Sequence, residues 1–176
     1  MDLYEVMRCA PTTRRFEGDP VPREILRRVL HSARFAPSGG NRQGWRVVVV
    51  RDPLTRRRLR DLYQTGWYEY LAMGAAGLVP WAPITDREAE QRAAARAQEM
   101  RPPPGAPGGL AEQLDGVPAL LVVLADLRRL AAVDRDLDRY TMVGGASIYP
   151  FVWSVLLAAH EHGLGGVLTT MLCREE

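Results

Sequence analysis

The sequence has no lysine: all 23 of its basic residues are arginine. Any side-chain cation that holds a phosphate must therefore be a guanidinium, whose planar fork bonds two phosphate oxygens at once. Positive charge is not in excess either. Against 21 acidic residues the net charge is +2, too balanced for a nucleic-acid surface. Cysteine is scarce. Cys9 and Cys173 stand near opposite ends of the sequence and form no CxxC pair, so both are expected to be ordinary reduced thiols. His31, His160 and His162 lack the spacing of a zinc cluster, and no metal site is expected. The first residues, MDLYEVMRC, contain no apolar signal-peptide core, which makes a cytoplasmic location the expectation.

Long apolar runs are nearly missing as well. The exception is Thr141 to Ala159, which carries no charge and approaches the ~20 residues of a membrane span. Gly144, Gly145, Ser147, Tyr149 and Pro150 interrupt it, and Ile148, Phe151, Val152, Val155, Leu156 and Ala159 recur at helical spacing. A buried or interface helix over 140–162 is expected, with Ile148 on the interface. With 176 residues, 47% of them apolar, the chain has the size and core material of a single domain.

What is present reads as alternating helices and strands. Residues 2–9 suit a short helix and 22–36 an amphipathic one, with Pro22 in its first turn and a stripe of Ile25, Val29, Leu30 and Ala33. Trp45 to Val50 is rich in β-branched residues and reads as a buried strand; 54–64 reads as a helix with a solvated basic face. Residues 65–84, with Trp67, Tyr68 and Tyr70, fit a helix followed by a loop. Residues 85–100 fit an exposed helix, and the Pro/Gly stretch 101–109 a mobile loop. Val117 to Ala125 is a second strand, 128–138 a loop, and Val167 to Thr170 a third strand after a helix capped at Gly163. The order implies an α/β or α+β sandwich with a modest sheet.

Three segments stand out chemically. Thr12-Thr13-Arg14-Arg15-Phe16 offers hydroxyls, amides and paired cations to a phosphate. Ala36-Pro37-Ser38-Gly39-Gly40-Asn41-Arg42-Gln43-Gly44-Trp45 offers close backbone approach and directed hydrogen bonds just before a buried strand. Gly163-Leu164-Gly165-Gly166-Val167-Leu168-Thr169-Thr170 lacks the Lys of a phosphate-binding Walker loop and the GxGxxG spacing of a dinucleotide fold. No nucleophile and base are paired: Ser38 has no nearby His, and no GxSxG elbow exists. The chemistry must then come from a cofactor.

Together these segments resemble the nitroreductase family of flavoproteins. Thr12, Arg14 and Phe16 match its opening turn of type Arg-Arg-Ser-x-Arg-x-Phe, and Val21-Pro22 leads into the matching helix. Residues 36–45 match Ala-Pro-Ser-Gly-x-Asn-x-Gln-Pro-Trp at nearly every position. Residues 146–170 look like its apolar helix ending in Gly-Leu-Gly with a Thr-Thr strand. The resemblance implies an α+β sandwich with a mainly antiparallel central sheet flanked by helices, one flavin-binding domain over 1–176, and a homodimer with FMN in the interface. Thr12, Thr13 and Arg14 would face the phosphate and ribityl chain. Pro37, Ser38, Gly39 and Asn41 would reach a flavin, often the partner subunit's, and Leu168, Thr169 and Thr170 would lie along the ring.

No catalytic side chain is expected: in this family flavin N5 carries the hydride from NADH or NADPH to a small acceptor such as a nitroaromatic or quinone. Trp67, Tyr68 and Tyr70 would cover an aromatic substrate, as in related branches that dehalogenate aromatic rings or fragment the flavin to a benzimidazole. Ala10-Pro11 depart from the family's usual Arg-Arg or Arg-His, a lost phosphate contact unless Arg8 or Arg15 substitutes. The chain also stops at Glu176, where family members normally continue into an arm that brings a further phosphate-binding cation. A degenerate, non-catalytic dimeric homologue is the reading those departures favour.

Overall fold

The computed structural model of the protein describes residues 2–172. These divide into two compact units, one within Met1–Val50 and Pro118–Leu168, the other within Arg51–Val117 and Thr169–Glu176.

The first unit is built around two strands. β1 (Trp45–Val49) pairs antiparallel with β2 (Leu121–Ala125), from Trp45 opposite Ala125 to Val49 opposite Leu121. Three helices belong to it: α1 (Leu3–Cys9), α2 (Arg23–Ala33) and α6 (Tyr149–Glu161). A capping box starts α1, in which Asp2 accepts from Glu5 N–H and Glu5 reaches back to Asp2 N–H. The stripe expected on α2 is real. Val29 and Ala33 join Ala36, Trp45, Phe151, Val152 and Val155 in one core, with Ile25 and Leu30 packed against it. At its centre Trp45 stacks on Phe151, ring centroids 4.7 Å apart.

The second unit holds α3 (Pro53–Ala75), α4 (Arg87–Ala94) and α5 (Leu110–Gln113), with 3₁₀ turns at Ala97–Met100 and Leu114–Gly116. Asp52 caps α3 by accepting from Thr55 N–H at 2.7 Å.

Four expectations need correction. The 140–162 helix begins only at Tyr149, after a 3₁₀ turn at Val143–Ser147, because paired glycines favour a tighter turn and Pro150 belongs in a first helical turn. Ile148 then packs against the core, while Tyr149 and Trp153 are the large apolar residues of α6 left about half exposed. The third strand is absent among the described residues: Val167 to Thr170 has no ladder, and Gly166 makes one isolated parallel bridge to Thr12 before the chains diverge. The helices expected at 54–64 and at the start of 65–84 are one continuous helix to Ala75, and Gly77 at φ 77° then lets Leu78 N–H return to Met73 O at 3.0 Å. Finally, parts of the solvated surfaces are structural. Arg56 Nε donates to Asp115 O at 2.7 Å, Arg60 pairs with Asp115 at 2.9 Å, and Glu90 and Ala93 of α4 are buried. Residues 128–138 are, as expected, loop with a short 3₁₀ turn at Leu127–Arg129.

Candidate functional site

The C-terminal end of α6 is closed by backbone. Gly163 sits at φ 74°, its N–H reaching His160 O at 2.9 Å while Leu164 N–H reaches Ala159 O at 2.9 Å. This double capping frees the chain to turn back toward the opening segment. Thr13 N–H then donates to Gly166 O at 3.0 Å. Approach here is close: a Cβ on Gly165 would lie 2.4 Å from Thr13 Oγ1 and 2.8 Å from Thr13 Cβ, so only glycine fits. The result is a groove of about 200 Å³ lined by Ala10, Pro11, Thr12, Trp153, Leu156, His160, Gly166 and Leu168 among others. Arg14 and Arg15 follow immediately, exposed, with no ion pair to any described residue. Two of the three singled-out segments therefore meet. Thr169 and Thr170 are exposed and fall in the other unit.

The third segment lies by the opposite end of α6, where Gly39 N–H meets Ser147 Oγ just ahead of the helix; the 13 residues of α6 span about 20 Å at 1.5 Å per residue. Pro37, Gly39, Gly40 and Asn41 are exposed and Ser38 is half-buried. The backbone is held in an uncommon shape, with Gly40, Asn41 and Gln43 at φ 60°, 50° and 48°. For the two non-glycine residues this left-handed region is costly, of order 1 kcal/mol each, and must be held by its surroundings. Ser38 Oγ accepts from Gln43 N–H at 3.0 Å, and Ser38 O accepts from Asn41 N–H at 2.8 Å. Asp126 N–H donates to Gly44 O at 2.7 Å and anchors the exit. Arg128 holds the Asp126 carboxyl down to about 2.

Sequence reasoning passed over two residues behind this loop. Ser147 is buried, and its Oγ accepts from Gly39 N–H at 3.0 Å. Asp134 is buried too. Its Oδ2 accepts from Met142 N–H at 2.8 Å and Val143 N–H at 3.4 Å and pairs with Arg139 at 3.2 Å. The Met142 amide, chiefly, keeps that carboxyl below its ordinary range. The available signal for Ser147 was one hydroxyl among the few, with Thr141, Tyr149 and Ser154, in a charge-free apolar run. Trp153 was visible only as one more apolar residue of that run.

The aromatic residues of α3 separate into two roles. Trp67 stacks between Tyr63 and Tyr70, centroids 6.4 and 5.5 Å away, and Tyr70 meets Trp81 at 6.2 Å. Trp67 and Tyr70 remain partly accessible. Tyr68 instead is buried, donates its hydroxyl to Glu112 Oε1 and lies under the Arg101 guanidinium at 4.8 Å. Burial, then the Glu112 carboxylate, push its phenol up to about 12.

A family model described as Nitroreductase family matches residues 11–176. The chain belongs to the nitroreductase family. Among curated proteins, a NADH dehydrogenase of Thermus thermophilus is 56% identical over 48 residues, which cover 27% of this chain and 23% of that protein. The match thus spans about a quarter of that relative's length. Among solved structures, oxidized iodotyrosine deiodinase bound to FMN and 3-iodo-L-tyrosine superposes with a TM-score of 0.59 at 25% identity, over 96% of this chain and 74% of that one. A BluB-like flavoprotein from Clostridium difficile 630 gives a TM-score of 0.61 at 17% identity, over 97% and 75%, a likeness of fold. This nitroreductase-family chain therefore has the expected α+β fold. No helix among its described residues is long and apolar enough to cross a membrane, and no cluster of potential metal ligands occurs among them.

Proposed function

We propose that the chain binds FMN as a homodimer and passes electrons from NADH or NADPH to a small acceptor such as a nitroaromatic or quinone. The observation that carries this is the Thr12–Gly166 bridge. It brings a polar, cationic turn against an apolar groove under α6. The residues fit the group: Thr12 and Thr13 offer hydroxyls to a phosphate and Arg14 a guanidinium with no ion pair among the described residues, while Trp153, Leu156 and Leu168 offer apolar walls for a ring.

The groove's 200 Å³ is too small to enclose such a ligand, since organic ligands of this size occupy clefts of roughly 300–1,000 Å³. A second protomer completes it in this reading. The 37–41 loop, held away at the other end of α6, is then available to a partner's cofactor, and exposed Tyr149 and Trp153 supply interface surface. The dimer and the contributions of Pro37, Ser38, Gly39, Asn41, Thr169 and Thr170 belong to the proposal.

FMN, when bound, supplies two-electron transfer between a nicotinamide donor and the acceptor. The chain's own residues bind and orient. Arg14 neutralises phosphate charge, and the Thr13–Gly166 hydrogen bond fixes the turn that presents it. Leu168 and Trp153 keep water from the groove. The NADH dehydrogenase name of the Thermus relative supports a nicotinamide donor.

Reconstitution with FMN followed by gel filtration is the test. The proposal expects a yellow dimer that bleaches with NADH or NADPH without oxygen. A colourless protein after filtration, or a yellow one that neither nucleotide bleaches, refutes it. A second reading, reductive dehalogenation of an aromatic ring, is favoured by the accessible Trp67–Tyr70 stack. Faster turnover of a halogenated phenol than of nitroaromatics or quinones would select it.

A further inference from the structure

The hydrogen bonds of the 38–43 loop fall into two kinds. Most close the loop on itself: Ser38 with Asn41 and Gln43, Gly39 O with Arg42 N–H at 3.3 Å, Asn41 Oδ1 with Gln43 Nε2 at 3.2 Å. Such bonds set the loop's internal shape and leave its placement open. Placement comes from outside. At the exit it is the Asp126–Gly44 backbone bond, with the Arg46 guanidinium donating to Gln43 O at 3.4 Å. At the entrance, among the described residues, it is the single bond from Gly39 N–H to Ser147 Oγ.

Ser147 is itself fixed. It closes the 3₁₀ turn Val143–Ser147, and the first residues of that turn are gripped by the buried Asp134 carboxylate through the Met142 and Val143 amides. The two residues face each other directly: a Cβ on Gly39 would stand 3.4 Å from Ser147 Oγ, in ordinary van der Waals contact. A left-handed stretch at Gly40, Asn41 and Gln43 has alternative, less strained shapes to relax into once a tie is cut.

We infer that Ser147 is a positioning residue for the flavin-facing loop: its hydroxyl, on a turn fixed by Asp134, holds Gly39 and thereby Ser38 and Asn41 in the arrangement that meets the cofactor. The inference rests on the FMN reading. Ser147 lines no part of the groove and acts through the loop.

The test compares wild type, Ser147→Ala and Ser147→Thr in two measurements. The first, on protein without FMN, is amide hydrogen exchange at Gly39 and Gln43, with Ala93 in α4 as the internal control. The second is the FMN dissociation constant from quenching of flavin fluorescence. Ser147→Ala is expected to speed exchange at Gly39 about tenfold with Ala93 unchanged, and to weaken FMN binding about tenfold. Ser147→Thr, which keeps the acceptor, recovers both. Unchanged Gly39 exchange overturns the inference, as does faster exchange with unaltered FMN affinity, or weakened binding that Thr fails to rescue. If wild type binds no FMN, the flavin reading and this inference fall together. If wild type binds and Ser147→Ala binds equally well, this inference alone falls.

Discussion

The two ends of α6 are secured by opposite means. At the C-terminal end the chain is held by its own backbone: a glycine cap, a main-chain bond from Thr13 to Gly166, and a contact at Gly165 too close for any side chain. At the N-terminal end the entrance of the neighbouring loop is held by a side chain, the Ser147 hydroxyl on a turn gripped by a buried carboxylate, its exit by a backbone bond, and its own backbone is strained. Backbone closure makes a surface that tolerates many side chains and no added bulk. Side-chain closure makes a surface whose set can be changed by removing one oxygen. In the proposed FMN complex, the groove end would hold a constant part of the ligand and the loop end would tune how it is met.

The core between the ends should fail first for both. Phe151→Ala removes the ring stacked on Trp45 and is expected to cost about 3–5 kcal/mol. The thermal midpoint should fall by many degrees, with loop and groove lost together; a loss confined to one end would show that the ends are independent of the shared core. Arg14→Ala should leave the fold intact and weaken FMN binding about 10- to 100-fold, the effect of roughly 1.5–3 kcal/mol from one charged hydrogen bond. Unchanged affinity by fluorescence titration would remove Arg14 from the site.

A glycine pair at the groove end sharpens the contrast. Gly165→Ala meets the β-branched Thr13 near its backbone, whereas Gly166→Ala meets only Leu156 Cδ2 at 2.7 Å, the tip of a flexible side chain. Overpacking of the first kind costs about 1–3 kcal/mol. Denaturant melts should therefore show Gly165→Ala clearly less stable than Gly166→Ala; the reverse order would contradict the backbone closure described here.

The smallest effect is a response to acid. The Asp126 carboxyl is lowered to about 2, chiefly by Arg128, and Asp134 is lowered chiefly by the Met142 amide. A lowered value favours the charged folded form. The stabilisation is therefore present above the ordinary carboxylate value near 3.8 and fades as pH falls through the folded values, toward about 2 for Asp126. Between pH 6 and pH 2.5, the thermal midpoint of wild type should drop slightly more than that of Asp126→Asn. Equal drops would mean that the carboxylate does not stabilise the loop's exit.

Much of this was legible in the sequence, and the reasons are local. The β-branched run at 45–50, the apolar stripe of α2 and the Gly163 cap each declare themselves through spacing or a special residue, and each is where it was expected. The opening turn and the segment after α6 stand out in the sequence, and the Thr12–Gly166 bridge brings the two chain segments side by side. What failed was long-range. A strand exists only with a partner, and no periodicity in 167–170 reveals that the neighbouring turn supplies a single bridge. Tyr68 read like Trp67 and Tyr70, yet Glu112 and Arg101, distant in sequence, enclose it. Ser147 and Asp134 were silent because a buried polar residue acquires its meaning from the atom it faces, here the amides of Gly39 and Met142.

The central claim is a flavin seated where the opening turn meets the segment after α6. Amide chemical shifts of the isotopically labelled protein, followed while FMN is added, examine that seat directly. Thr13, Arg14, Gly166, Val167 and Leu168 are predicted to shift together, with Gly39 to Asn41 moving at the same FMN concentration. Saturable shifts elsewhere that leave Thr13 and Gly166 unmoved, or no shifts at all, would contradict it.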